Sequence, residues 1–181
     1  MDLLLHCCCG PCSTYSTRQL LETGVKPTLF FTNPNIHPYR EYESRRESLK
    51  SLAHLRQLPL LVEPSYDPEE FFRLVSGRET DRCRLCYELR LGRTAAKASA
   101  LGIPAFGTTL LISPYQDRAL LLEVGYRLAS VHGLSFMDAD WRPGFRASQA
   151  EARELGLYRQ KYCGCLYSEK ERFYRPAPVL D

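Results

Sequence analysis

With 181 residues, 44% of them hydrophobic and 25% charged, the chain can bury one hydrophobic core and is short for two. A core of that size needs no cysteine staples, which excludes a small disulfide scaffold. The formal charge of +3 is compatible with a nucleic-acid partner and demands none.

The start, MDLLLHCCCG, lacks the basic segment of a secretory leader. No run reaches the roughly 18 apolar residues of a membrane span. A cytoplasmic protein with no membrane partner is expected, its thiols kept reduced.

Residues 2–7 (DLLLHC) read as a short buried strand, followed by GPC and a helix ending at Gly24. Pro11 suits a first helical position, where its missing N–H costs nothing. Residues 26–33 form a second apolar strand, broken by Pro34 and Pro38. Residues 39–57 read as a charged helix with apolar positions at helical spacing, and 58–63 as a third strand. Residues 67–75 start with Asp67 as a helix cap and Pro68 behind it. A long helix over 83–102, a fourth strand over 104–112 and a helix over 116–133 closed by Gly133 follow. A fifth strand over 134–140 and a helix over 145–156 complete the pattern, and from about residue 157 the chain reads as irregular.

The alternation predicts the α/β class: a parallel sheet with helices on both faces, in a single domain over 1–181. Ligands of such sheets bind beyond the carboxyl ends of the strands. HCCCGPC, NPNIHPY, the end of TTLLISPYQD and DADWRPG all fall on that edge.

Eight cysteines lie in tight groups: Cys7, Cys8, Cys9 with Cys12; Cys83 with Cys86; Cys163 with Cys165. In a reducing compartment this grouping suggests metal or redox chemistry. Cys83 and Cys86, three apart on a helix, share a face. Cys9 and Cys12 straddle a helix start, whose free N–H groups and dipole favour thiolates. All-thiolate ligation suits an iron–sulfur cluster, while paired C-x2-C spacing also suits zinc, and unligated thiols stay a third reading. Gly164 in C-G-C allows the tight backbone of a strained, exchangeable disulfide. Two separate loop thiols, or two further ligands, are the alternatives.

HCCCGPC, NPNIHPYREYESR, RCRLCYELRL, TTLLISPYQD and LYRQKYCGCLYS together resemble the epoxyqueuosine reductase QueH family, over about residues 3–168. The resemblance implies a Rossmann-like sheet related to adenine-nucleotide hydrolase and PP-loop proteins. It implies reduction of the epoxide of epoxyqueuosine to queuosine at the wobble position of tRNAs with GUN anticodons (Tyr, His, Asn, Asp), the last step of queuosine biosynthesis. It implies a 4Fe-4S cluster on Cys8, Cys9, Cys83 and Cys86, an additional iron near Cys12, and a redox-active disulfide of Cys163 with Cys165. No cobalamin is implied, and the electron donor is unidentified. CCCGPC stands where PP-loop ATPases carry a glycine-rich phosphate loop, so no ATP use is expected. Cys7 departs from the family pattern and is expected to be a buried thiol at the strand end.

Opening an epoxide to an alkene requires a proton donor, for which Asp117, Asp140 and Tyr115 are candidates, with His37 as a further one. Binding the RNA requires cations and planar groups. Here His37, Tyr39, Arg40, Arg142 and Arg159 are the candidates, with Arg45, Arg46, Arg146, Lys161, Tyr162 and Trp141 nearby. Two other functions compete. A cluster-dependent tRNA-thiolation enzyme would need an ATP phosphate loop, and a zinc-stabilised RNA-binding module would leave the C-G-C thiols without a role.

Overall fold

The computed structural model of the chain describes residues 2–176. Five parallel strands form one sheet: β1 (Leu3–His6), β2 (Thr28–Phe31), β3 (Leu60–Val62), β4 (Ala105–Thr108) and β5 (Ser135–Phe136), in the order β3-β2-β1-β4-β5. β1 pairs through Leu5 with Leu29 on one side and with Gly107 on the other. The direction of winding reverses between β1 and β4, which makes their carboxyl ends the switch point where such sheets open a crevice.

Among the described residues there are seven α-helices: α1 (Gly10–Glu22), α2 (Tyr39–Leu55), α3 (Pro68–Val75), α4 (Arg82–Ala100), α5 (Arg118–His132), α6 (Phe145–Glu154) and α7 (Leu166–Phe173). α1 packs against α2 and α6, while α4 packs against α3 and α5 and against β1 and β4. The single-domain α/β sheet expected from the alternation is therefore present. Leu4, Leu5, Leu29 and Phe106 are fully buried at its centre. Each such side chain contributes about 1.5–3 kcal/mol by leaving water.

Local signals explain the helix ends. Asp67 caps α3 by accepting from Glu70 N at 3.3 Å, and Asp117 caps α5 by accepting from Leu120 N at 3.0 Å. Gly133 closes α5 with φ +65, a conformation that costs a residue with a Cβ. Gly10 opens α1 against α2 so closely that a Cβ there would stand 2.7 Å from the carbonyl oxygen of Ser48.

Three expectations change. The fourth strand stops at Thr108, and Thr109–Ile112 coil into a 3-10 turn whose Leu110 N–H is capped by Thr108 Oγ1 at 3.1 Å. An apolar run of this length does not by itself distinguish strand from buried turn. The fifth strand is only two residues long. The segment expected to be irregular contains α7, which is ordered because the Cys165 sulfur accepts from Ser168 N at 3.4 Å and Arg82 pairs with Glu171.

Candidate active site and its cysteines

β1 delivers the cysteine run to the switch point. Cys7 is fully buried, and its thiol donates to Leu5 O at 3.3 Å. Burial pushes that thiol up to about 12, so it stays protonated. Cys9 is the N-cap of α1, and Pro11 follows in the first turn. The sulfurs of Cys8, Cys9 and Cys12 all lie within 4.8 Å of one another and are buried. The Cys8 and Cys9 sulfurs are 3.6 Å apart. Thiol hydrogen bonds from Cys12 and Cys9, with the charge of Arg90, hold Cys8 well below the usual thiol range. Burial raises Cys9, and the bond to Cys8 raises Cys12. Of the three thiols, Cys8 is the one whose surroundings favour the thiolate.

Cys83 and Cys86 sit on the first turns of α4. Cys83 is exposed and Cys86 buried. Burial raises both thiols, Cys86 to about 12, with the neighbouring charges of Cys163 and Cys165 adding to the rise. Among the described residues, Cys8, Cys9 and Cys12 are the one group of three or more potential ligands drawn this close, and Cys83 and Cys86 stand outside it. Arg90 acts on both groups. Its Nη1 donates to Cys86 Sγ at 3.8 Å, and its charge also acts on Cys8.

Behind the cysteines, Arg90 Nη2 donates to Asn33 Oδ1 at 2.7 Å and Arg90 Nε to His6 Nε2 at 3.4 Å. His6 Nδ1 bonds Thr108 Oγ1 at 2.8 Å. Burial, then Arg90, holds His6 down at about 3, so the ring is neutral.

The C-G-C turn is pinned from α2. Arg45, 1% exposed, donates to Tyr162 O at 2.9 Å and to Cys163 O at 2.8 Å, and its Nε pairs with Glu41 at 2.7 Å. Tyr158 also donates to Glu41. Gly164 O accepts from His37 N at 2.9 Å, and Tyr162 donates to His37 O. Gly164 has φ +145, and a Cβ there would stand 3.0 Å from Ile36 and 3.4 Å from Arg45. This conformation and spacing belong to glycine. Both thiols are free: Cys163 is exposed, and Cys165 is buried beside Cys86, Phe71 and Val75.

A cleft of about 440 Å³ lies over these groups, with Cys8, Cys12 and Cys163 in its walls. Gln116, Gln149 and Gln160 line it as well, with Tyr115 and Phe145. Gln116 Nε2 donates to Cys163 Sγ at 3.4 Å and Gln160 Nε2 to Cys12 Sγ at 3.3 Å. Gln160 Oε1 is buried without a partner. Lys161 and Arg172 bring positive charge to the same cleft.

The expected acid–base candidates separate. Asp117 is spent as the cap of α5. Asp140 is clamped by Arg142, whose Nε donates to it at 2.7 Å and holds its carboxyl down at about 2. Tyr115 is 83% exposed, reaches the cleft, and meets Phe145 edge-on at 5.9 Å.

Of the candidate RNA contacts, Arg45, Lys161 and Tyr162 line the cleft, whereas His37, Tyr39, Arg40, Arg142 and Arg159 do not. His37 is 3% exposed and stacks on Phe72 at 4.5 Å, and Tyr39 hydrogen-bonds Glu43 on the α2 surface. Arg40 is exposed, and Arg159 touches the cleft only through Gln149 Oε1, at 3.3 Å. Trp141 is buried in the main core, Arg46 pairs with Glu43 and Glu47, and Arg146 is exposed. Sequence reasoning did not single out the three glutamines, although Gln116 and Gln160 lie within the TTLLISPYQD and LYRQKYCGCLYS stretches, nor Arg90, visible as a cation one turn after Cys86.

An all-sulfur donor set in a buried group, with a favoured thiolate and a guanidinium beside it, fits a thiolate-bound iron centre. The model of the epoxyqueuosine reductase QueH family matches residues 3–171. An epoxyqueuosine reductase QueH from Dehalococcoides mccartyi is 42% identical over 174 residues, 96% of each chain. One from Streptococcus pyogenes is 36% identical, covering 93% of this chain and 71% of its own. One from Acinetobacter baylyi is 34% identical, covering 93% and 81%. A solved structure described as a predicted subunit of tRNA methyltransferase, from Methanocaldococcus jannaschii, superposes with TM-score 0.59 at 15% identity, over 85% of this chain and 76% of that one, a likeness of fold. The chain therefore belongs to the epoxyqueuosine reductase QueH family, a family of oxidoreductases.

Proposed function

We propose that this protein reduces epoxyqueuosine to queuosine in tRNA, at the wobble position of tRNAs with GUN anticodons. Membership of the family over residues 3–171 carries the reading. The cleft supports it. Its volume of about 440 Å³ suits one extruded nucleoside, and Lys161, Arg172 and Tyr115 at the same cleft suit a polyanion with planar bases.

Cys8, Cys9, Cys83 and Cys86 are the proposed holders of a 4Fe-4S cluster, with Cys12 beside them for an additional iron. The grouping of Cys8, Cys9 and Cys12 and the shared neighbour Arg90 of Cys8 and Cys86 support this. Such a cluster, when bound, supplies single electrons. Cys163 and Cys165 form the dithiol. Its oxidation to a disulfide yields two electrons and two protons, which balances loss of the epoxide oxygen as water. Arg45 and His37 hold the turn so that Cys163 stands in the cleft wall. Gln160 and Gln116 offer amide groups to the substrate beside the sulfurs. Tyr115 is the proton donor best placed at the cleft, since Asp140 is locked as an ion pair and Asp117 as a cap.

The test is anaerobic purification with iron and sulfide counts. Incubation with tRNA carrying epoxyqueuosine and dithionite follows, with nucleosides read by mass spectrometry. About four iron and four sulfide per chain and conversion to queuosine are expected. A colourless protein with one zinc, and tRNA unchanged after anaerobic reconstitution, overturns the reading.

A further inference from the structure

Arg90 is a cation the fold has buried without a carboxylate. It lies on α4 one turn after Cys86, with its side chain 1% exposed. Its hydrogen bonds go to His6, Asn33 and the Cys86 sulfur. Among the described residues it takes part in no ion pair with an acid. Arg45, the other fully buried arginine, has Glu41. A guanidinium does not shed its proton in proteins, and a buried charge needs an opposite one. The group placed to supply it is the Cys86 sulfur, 3.8 Å from Arg90 Nη1, once that sulfur is a metal-bound thiolate.

We propose that Arg90 is the fixed counter-charge of the metal-binding thiolates, set against the Cys86 sulfur so as to raise the reduction potential of the iron group that this thiolate helps to hold. The assignment rests on the iron reading given under Proposed function. Reduction adds one electron, and hence one negative charge, to a group whose ligands are already anionic. A positive charge 3.8 Å from one ligand sulfur stabilises the reduced state more than the oxidised one. Arg90 touches no substrate and acts through the ligands, so it is a positioning residue. Asn33 and His6 fix its fork: Asn33 Nδ2 also donates to Cys7 O at 2.9 Å, which ties the guanidinium to the strand that delivers the cysteines.

The experiment compares the full chain, reconstituted anaerobically, as wild type, Arg90→Gln and Arg90→Lys. Iron per chain is counted, the midpoint potential is read by electron paramagnetic resonance during dithionite titration, and iron release to a chelator is timed. Arg90→Gln is expected to keep the wild-type iron count, titrate at a more negative potential and release iron several-fold faster. Arg90→Lys is expected to stay near the wild-type potential. Should Arg90→Gln fail to fold, Asn33→Asp leaves Arg90 in place but sets a carboxylate on its Nη2, and is expected to lower the potential in the same direction. Iron-loaded Arg90→Gln or Asn33→Asp at the wild-type potential overturns the counter-charge and leaves the proposed function standing. A wild type that takes up no iron overturns both.

Discussion

Replacing Arg45 by Met tests how the C-G-C turn is held. The substitution keeps an apolar stem of similar bulk to the arginine methylenes but removes three hydrogen bonds, to Glu41 at 2.7 Å, Cys163 O at 2.8 Å and Tyr162 O at 2.9 Å. Breaking a buried ion pair costs about 3–5 kcal/mol, because the surviving charge stays out of water. Glu41 keeps the hydroxyl of Tyr158 as a donor, which favours the lower end of that range. Two orphaned carbonyls add to the cost, since charge-assisted bonds contribute about 1.5–3 kcal/mol each, not additively. Arg45→Met should therefore cost about 4 kcal/mol in urea unfolding, a large share of the roughly 5–15 kcal/mol of a whole domain. Glu41→Gln combined with Arg45→Met removes the stranded charge and should recover about half of that loss. Hydrogen exchange adds a local readout, because the His37 amide donates to Gly164 O and should lose protection as the turn loosens. A loss below about 1 kcal/mol, or a double variant no more stable than Arg45→Met, would refute the reasoning.

Three other outcomes follow from the same geometry. Cys7→Ala should retain the wild-type iron count and cost about 1 kcal/mol, whereas Cys8→Ala should lose most of the iron; equal iron in both would remove Cys8 from the ligands. Gln160→Leu should raise KM for the modified tRNA more than it lowers kcat, because Gln160 Oε1 is buried beside the cleft with no partner among the described residues; an unchanged KM in a steady-state assay counts against the contact. His37 is held neutral by burial, at about 4 against an ordinary 6.5, with Nδ1 unpartnered. The unfolded chain takes up the proton first, so its contribution is complete above pH 6.5 and is lost as pH falls toward 4, by about 2 kcal/mol at pH 5. His37→Phe should flatten the difference between urea midpoints at pH 7.5 and pH 5, and a slope unchanged in that variant would place the titration elsewhere.

The alternation of apolar runs with amphipathic stretches settled the α/β class, because strand and helix periodicities are properties of the local chain. The same reading put HCCCGPC on the carboxyl edge, since a strand that ends at His6 leaves Cys7, Cys8 and Cys9 nowhere else to go. The caps at Asp67 and Asp117 and the close at Gly133 were legible for the same reason: they are bonds among near neighbours. Periodicity failed where length alone had to arbitrate, at Thr109–Ile112 and at the two-residue β5. The site itself was decided by contacts distant in sequence. Arg45 reads as one more cation on a charged helix until the chain returns 118 residues later to set Cys163 O on it. LYSEKERF mixes charges like a solvated tail, and becomes α7 only because Cys165 caps it and Arg82 reaches across to Glu171. Which sulfurs meet was equally hidden, since C-x2-C spacing says that two thiols share a face but not what that face opposes. Tertiary packing set Cys86 beside Cys165, left Cys8, Cys9 and Cys12 buried as one group and buried Arg90 against Cys86. A charge is placed by what surrounds it, and those surroundings exist only once the sheet has closed over α1 and α4.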